Sequence, residues 1–388
     1  MAIFYIYGID VTIKSVLKKG NFDQMRLEVE NLSKSSEVYL STKDYNSYSR
    51  LFNGKVHHLF SRFFNLPDSN IGKILTSAIF FSFGFISIMK RAKKIDAIVV
   101  QGTASLHGAI ANVLLHKPVV LYLQYFAYNE QALLRRSFLS IVFRWMEFFS
   151  IRHCNVVIAP NERLQAEALA TGAKSVKIIP NFVSLSEIGK IGGKGVLRDK
   201  LGINRNVSMI LFVGRLHPVK NVGLILRSFS SLGELDNAIL VVVGDGPEKQ
   251  RLIDLASNLG ITDRVRFVGF QPKTTVLEYM KAADVLVLPS KVEGQPRVIL
   301  EAWACDLPVV ASNVRGIKNL VTNGFDGLLF DLPSEKHFAQ AISKALESEV
   351  ANELRRNARK QLSRYSEDSV LFQQAMVVRK FLLKSSVG

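Results

Sequence analysis

The chain reads as an α/β protein of two successive doubly wound domains, and three observations predict it. Short apolar runs alternate with helical periodicity from end to end, as parallel strands covered by helices require. The alternation breaks once, at 184–200 (SLSEIGKIGGKGVLRDK), where four glycines and mixed charge mark a linker, and then restarts. The 388 residues, 48% hydrophobic and 21% charged, suffice for two packed cores and exclude a disordered or low-complexity chain. The expected division is 1–185, a linker at 186–200, a second domain at 201–365 and a helical tail at 366–388. Two such sheets facing each other imply a cleft, with ligands at the carboxyl ends of strands.

In the first half the predicted strands are 2–7, 37–41, 96–100, 118–123, 155–159 and 176–179. Phe22, Met25, Val29 and Leu32 recur at i, i+3, i+7 and i+10 and mark a helix; 131–150 is another, rich in Leu, Phe and Arg. The second half gives strands at 209–213, 239–243, 265–268, 284–288, 308–311 and near 327–330. Helices are expected between them at 219–233, 247–259, 274–282 and 296–305, and after them at 334–348. The tail 366–388 is helical.

Fifty Lys and Arg against 33 Asp and Glu leave a formal charge of +17, which favours acidic partners without choosing among them. Cys154 and Cys305 stand far apart in apolar contexts and offer neither a disulfide framework nor metal-ligand spacing, so a reducing, cytoplasmic compartment is expected. The N-terminal MAIFYIYGIDV has no basic lead-in and reads as a first strand rather than a signal peptide. Residues 74–89 form 16 uncharged residues before the basic cluster Lys90, Arg91, Lys93 and Lys94. That is short of the roughly 18–20 residues of a membrane span. A buried helix is one reading, a helix docked on a membrane face the other. Over 43–94, nine Lys/Arg against two Asp/Glu interleave with Phe52, Phe60, Phe63 and Phe64, a composition suited to an anionic lipid interface.

The chemistry concentrates in the second half. Strand 209–213 ends in Gly214-Arg215-Leu216, with Lys220 five residues after the arginine and a helix starting between them. A strand-end glycine turns the backbone sharply, and two cations beside a helix N-terminus suit a diphosphate. The next strand ends in Gly244-Asp245-Gly246-Pro247, with Pro247 expected at the first helical position, and the following one in Val268-Gly269-Phe270, whose backbone could edge a flat base. The strongest constellation runs from Ser290 through Glu293-Gly294-Gln295-Pro296-Arg297 to Glu301. It opens at a strand end and enters a helix at Pro296. Amides of Gly294, Gln295, Arg297 and Val298 fall where helices leave N–H groups without intrahelical partners. Glu293 and Glu301, eight apart, can address different parts of one elongated ligand, and a carboxylate accepts a diol in two directions.

From about 209 to 348 the order GRLxxxK, GDGP, VxFVGF, AADVLVLPS, E-x7-E and Pro308-Val309-Val310-Ala311 resembles the retaining glycosyltransferases of family 4, glycosyl transferases group 1. Their GT-B fold has two Rossmann-like domains. The resemblance implies that Arg215 and Lys220 hold a donor diphosphate, with Gly214 at the strand end. It implies that Glu301 binds the ribose hydroxyls, that Phe270 lies beside the base, and that Glu293 and the amides after it face the transferred sugar. Gln295-Pro296 departs from the family's usual Phe-Gly and removes one N–H donor. In the first half, aligning Glu28 with the family's glutamate puts Gly20-Asn21 where a Gly-Gly pair usually turns toward the leaving phosphate. Asn tolerates positive φ better than most residues. Gln124-Tyr125 stands where many members carry a histidine, and His107 is a neighbouring candidate. Ile179-Pro180-Asn181 agrees with the family's interdomain entry, and the tail with the helix that crosses back onto the first domain.

The implied activity moves a sugar with retention from a nucleotide-sugar donor to a hydroxyl of a saccharide or lipid-linked acceptor. No cofactor and no metal are expected, since no Asp-x-Asp is seen at a strand end. A nucleotide-sugar epimerase of the same fold is one alternative, disfavoured by the lack of an acid/base array. A basic nucleic-acid-binding protein is another, and no zinc-finger spacing, ribonucleoprotein box or recognition-helix pattern supports it.

Overall fold

The computed structural model describes residues 2–7, 20–34, 37–41, 56–58, 86–101, 105–123, 137–231 and 237–384. The chain divides into two units: residues 1–180 with 371–388, and residues 181–370.

The first unit holds a seven-stranded parallel sheet in the order β3-β2-β1-β4-β5-β6-β7. The strands are β1 (Ala2–Tyr7), β2 (Glu37–Ser41), β3 (Val56–His58), β4 (Ala97–Gln101), β5 (Val119–Tyr122), β6 (Val156–Ala159) and β7 (Val176–Ile178). β4, β5 and β6 are buried at every residue, which is why their sequences are unbroken apolar runs. The sequence pattern misses β3, three residues long in a basic stretch. The helices are α1 (Gly20–Ser33), α2 (Ser105–Leu115), α3 (Ser137–His153) and α4 (Glu162–Ala170), with a short helical stretch at 86–91. Ile88, Ala111 of α2, Ile151 of α3 and Leu164 of α4 share one core with Ile98, Val100, Val119 and Val157, so these four helical segments cover the same face of the sheet.

α1 opens at Gly20, so Gly20 and Asn21 are its first two residues and not a turn ahead of it. Glu28, on this helix, is buried and accepts from Gln101 Nε2 at 3.2 Å. Gln124, Tyr125, Phe52, Phe60, Phe63, Phe64 and all of 74–85 lie outside the described residues; His107 is in α2. Among the described residues no helix is long and apolar enough to cross a membrane.

The second unit carries a six-stranded parallel sheet ordered β10-β9-β8-β11-β12-β13. Its strands are β8 (Ser208–Val213), β9 (Ala238–Val243), β10 (Val265–Gly269), β11 (Val285–Leu288), β12 (Val309–Ser312) and β13 (Leu328–Phe330). The segment expected as a linker is instead two helices of this unit, α5 (Leu185–Gly189) and α6 (Lys194–Lys200). Its glycines sit at helix ends, while Ile188, Leu197 and Arg198 are buried. Arg198 donates to the carbonyls of Ala282, Arg205 and Val207, each at 2.9 Å, and to Asp284 Oδ2 at 2.5 Å, fastening α6 under the sheet.

The remaining helices are α7 (Val222–Ser230), α8 (Lys249–Asn258), α9 (Lys273–Ala282), α10 (Arg297–Ala304), α11 (Arg315–Lys318), α12 (Glu335–Leu346), α13 (Ser348–Gln361) and α14 (Glu367–Lys384). α13 escapes the hydrophobic pattern because its buried side is only Ala351, Leu354, Asn357 and Ala358. From residue 371 onward α14 belongs to the first unit, where Asn31 Nδ2 donates to the Leu371 carbonyl at 3.0 Å. Both cysteines are buried free thiols whose pKa burial pushes up to about 12.

Candidate functional site

The strand order of the second unit reverses between β8 and β11, and the site forms where their carboxyl ends open. Three neighbouring strand ends are stitched by backbone bonds. Gly214 N–H donates to Val243 O at 3.0 Å, and Gly244 N–H to Gly269 O at 2.8 Å. Gly244 has φ +142°, and a Cβ there would fall 1.9 Å from the Gly214 carbonyl oxygen, so only glycine fits. Leu216 N–H donates to Asp245 O and Glu248 N–H to Leu216 O, which joins the GRL and GDGP loops into one body. α8 begins only at Lys249, leaving Pro247 in this loop two residues short of the helix.

Beyond Leu216 the chain makes a 3₁₀ turn, Pro218–Lys220, whose Val219 N–H is accepted by His217 Nδ1 at 3.4 Å. Lys291 N–H donates to Val219 O at 2.8 Å and ties the loop after β11 to that turn. The tie brings Lys220 Nζ to 2.5 Å from Glu293 Oε1, with 26% of the lysine and 10% of the glutamate side chain exposed. Burial lowers the His217 pKa, and the positive charges of Arg215 and Lys220 lower it further against the opposing pull of Glu248. Both cations therefore lie within electrostatic reach of one imidazole.

α10 starts at Arg297 with the buried Pro296 as its cap residue, where a missing N–H costs no intrahelical bond. One turn on, Glu301 Oε1 is 3.8 Å from Arg297 Nη2, both side chains 16% exposed. The Arg297 guanidinium is a site group the motif reading passed over, although its i,i+4 spacing to Glu301 is the signal for it. Gln295 turns elsewhere: its Oε1 accepts Asn181 N–H at 2.6 Å and its carbonyl accepts Asn181 Nδ2 at 3.0 Å. Phe270, 39% exposed, follows Gly269 at the end of β10, two strands from β8. The structure thus gathers Gly214, Arg215, Lys220, Glu293 and Gly294 at one strand-end site, with Glu301 in the helix beside them. Gly20 and Asn21 belong to the first unit.

Sequence reasoning misses Gly316 altogether. A Cβ there would fall 2.0 Å from Glu293 O and 2.5 Å from Gly294 O, so α11 packs its bare backbone against the peptide that carries Glu293. Among the described residues no three His, Cys, Asp or Glu side chains converge as metal ligands would.

The family model described as Glycosyl transferases group 1 matches residues 194–363, and that described as Glycosyltransferase Family 4 matches residues 43–187. UDP-Gal:alpha-D-GlcNAc-diphosphoundecaprenol alpha-1,3-galactosyltransferase of Escherichia coli is 29% identical over 289 residues, 71% of this chain and 73% of that protein. D-inositol 3-phosphate glycosyltransferase of Acidothermus cellulolyticus is 33% identical over 207 residues, and the match spans less than half of that enzyme, 46%, and 50% of this chain. Among solved structures, Anabaena Alr3699/HepE in complex with UDP aligns with a TM-score of 0.76 at 21% identity, over 98% of this chain and 100% of that chain. Sucrose-phosphate synthase of Thermosynechococcus elongatus aligns at 0.82 and 19% identity, over 99% and 100%. At these identities the structural likeness carries the fold.

Proposed function

The chain belongs to the GT-B glycosyltransferases of group 1, and we propose that its second unit binds a nucleotide-sugar donor at the mouth between β8 and β11. The observation that carries this reading is the Lys220–Glu293 contact, which seats a cation and a carboxylate on the two strand ends where the sheet order reverses. Arg215 and Lys220 take the diphosphate, the first with paired donors and the second as a point charge. Glu301 accepts the ribose hydroxyls, held in place by Arg297, and Glu293 faces the sugar.

Transfer proceeds with retention. The bond from the anomeric carbon to the β-phosphate oxygen breaks while the acceptor oxygen bonds to that carbon on the same face. The acceptor proton passes to the departing phosphate. Negative charge grows on that phosphate, so the two cations stabilise the transition state more than the bound donor. The positive groups of the site meet that charge with no divalent ion in this scheme. The acceptor is a hydroxyl of a saccharide or of a lipid-linked saccharide, the class named for the Escherichia coli relative.

A thermal-shift panel of nucleotide sugars tests the donor. One member should raise the melting temperature, as a ligand at a hundred times its Kd adds about 2.7 kcal/mol of apparent stability. The same member should lose its effect on Lys220→Ala. A panel with no stabilising member, or an equal shift in the variant, would overturn the reading.

A further inference from the structure

The helical layer over one face of the first unit's sheet has an outer side that its core does not use. On α3, Ile141 is 66% exposed, Trp145 62% and Phe148 39%. With Arg144 and Arg152 they follow three- and four-residue spacing, so the five share one stripe about 100° wide. The helix turns Ser150 and Ile151 inward. Arg152 lays its guanidinium carbon 3.9 Å from the centre of the Phe148 ring, holding a cation flat on an exposed aromatic. The one acidic residue of α3, Glu147, lies off the stripe.

Residues 86–91 belong to the same layer, because Ile88 enters the core that Ala111 of α2 and Ile151 of α3 share. Their outward residues repeat the composition. Ile86 is 46% and Met89 45% exposed, and Lys90, Lys93 and Lys94 are exposed beside them. A large exposed tryptophan between branched and aromatic apolar groups, with Arg and Lys along its stripe, is what a headgroup boundary selects.

We propose that this outer side of the helical layer seats on an anionic membrane surface. Ile141, Trp145 and Phe148 enter the boundary between headgroups and acyl chains, and the flanking arginines and lysines meet lipid phosphates. A second copy of the chain fits the face poorly. An isologous contact would set this cationic stripe against itself in a molecule already at +17. The inference goes beyond the transfer reading and stands apart from it, since it is drawn from the first unit alone.

The chain has two tryptophans, and the other, Trp303, is 1% exposed, so Trp145 is the one that can report on lipid. The experiment mixes the full chain with vesicles of phosphatidylglycerol and phosphatidylcholine, or of phosphatidylcholine alone, at low salt. The anionic vesicles should sediment the protein, move its emission to the blue and shield it from acrylamide. Neutral vesicles should bind it at least about tenfold more weakly. Trp145→Phe should abolish the spectral change, and Ile141→Ser with Phe148→Ser should weaken association about a hundredfold, roughly tenfold per side chain. Both changes fall on exposed positions, so the melting temperature and the nucleotide-sugar thermal shift should stay at parental values. That separates a failure here from a failure of the donor site. No sedimentation, sedimentation without a change in Trp145 emission, or blue emission before lipid is added in a protein that weighs as a dimer would each overturn the proposal.

Discussion

Gly316→Ala should damage turnover although Gly316 itself is assigned no contact with the donor. The new methyl carbon would start 2.0 Å from Glu293 O and 2.5 Å from Gly294 O, both backbone atoms. A carbon and a carbonyl oxygen settle at about 3.3 Å, so one side must move by about 1.3 Å. α11 is the fixed side, because Ile317 within it and Leu320 just after it anchor it in the core, 0% and 6% exposed. The Glu293–Gly294 peptide is the side that yields. A misplacement of about 1 Å near the reacting centre can cost about a hundredfold, so kcat should fall by about that factor. The Kd for the nucleoside diphosphate should change little, since Glu301 and Arg215 stay where they were. The assay is initial rates with the donor that the thermal-shift panel selects, beside calorimetry with the nucleoside diphosphate. Arg315→Ala, the exposed neighbour, is the control and should match the parent. A folded Gly316→Ala protein with parental kcat would refute the idea that this contact positions Glu293.

Arg215→Ala and Lys220→Ala should each lower kcat by about 10²–10³, or about 2.7–4 kcal/mol, as loss of one preorganised donor does elsewhere; turnover within a few-fold of parent in either folded variant removes the diphosphate assignment. Glu301→Ala should weaken nucleoside diphosphate binding by about 1–3 kcal/mol in calorimetry, with Glu301→Gln between the two, because the amide keeps one acceptor; an unchanged Kd excludes the ribose role. Asp326 gives a prediction in pH. Burial pushes its carboxyl up to about 6 from the ordinary 3.8, against the pull of the Thr322 N–H it accepts at 2.7 Å. Between those values the folded state holds a proton that the unfolded chain has released, so stability falls as pH rises through the window and stays lower above it. Asp326→Asn keeps an acceptor for Thr322 and removes the charge. It should therefore melt higher than the parent at pH 7.5, by at most about 3 kcal/mol, with the gap closing below pH 4. A gap independent of pH would show that the carboxylate is not strained.

The strands were legible because parallel sheets bury both faces: AILVVV at β9 is buried at every residue, and no amphipathic helix offers six such positions in a row. The strand-end glycines and the cations after them were legible for the same reason, since a strand boundary fixes where a loop begins. The segment at 184–200 was misread because glycine density says where helices end as readily as where a linker runs. Arg198 shows the difference only through its bonds to Ala282 and Asp284. Long-range pairings lay beyond reach. Gln295 was read toward the donor, yet its oxygens serve Asn181, 114 positions away. The Lys220–Glu293 contact crosses 73 positions and depends on β8 lying beside β11, which the order of elements alone does not state. Likewise α3 was legible as a helix, but its outer stripe became visible only once Ser150 and Ile151 were seen to face in.

The Lys220–Glu293 pair bears on why a carboxylate should stand so near a group proposed to take phosphate. Alone, Glu293 would oppose an incoming diphosphate; bonded at 2.5 Å to Lys220, it presents with the lysine a fixed dipole rather than a free negative charge. In the proposed reading the phosphate meets the ammonium end and the sugar the carboxylate end. Breaking the anomeric bond sends negative charge toward the phosphate and leaves positive charge on the ring, which is the charge separation this dipole opposes end to end. Because the pair is held by the Lys291–Val219 bond and by the Gly316 contact, it needs no reorganisation when that charge appears. Glu293→Gln is therefore the informative change: it keeps the shape and an acceptor for Lys220 but erases one pole. It should lower kcat while leaving donor affinity equal or improved, because the ammonium is then freer to meet phosphate. Weaker donor binding at parental kcat would mean that Glu293 holds the ground state and has no part in the charge separation.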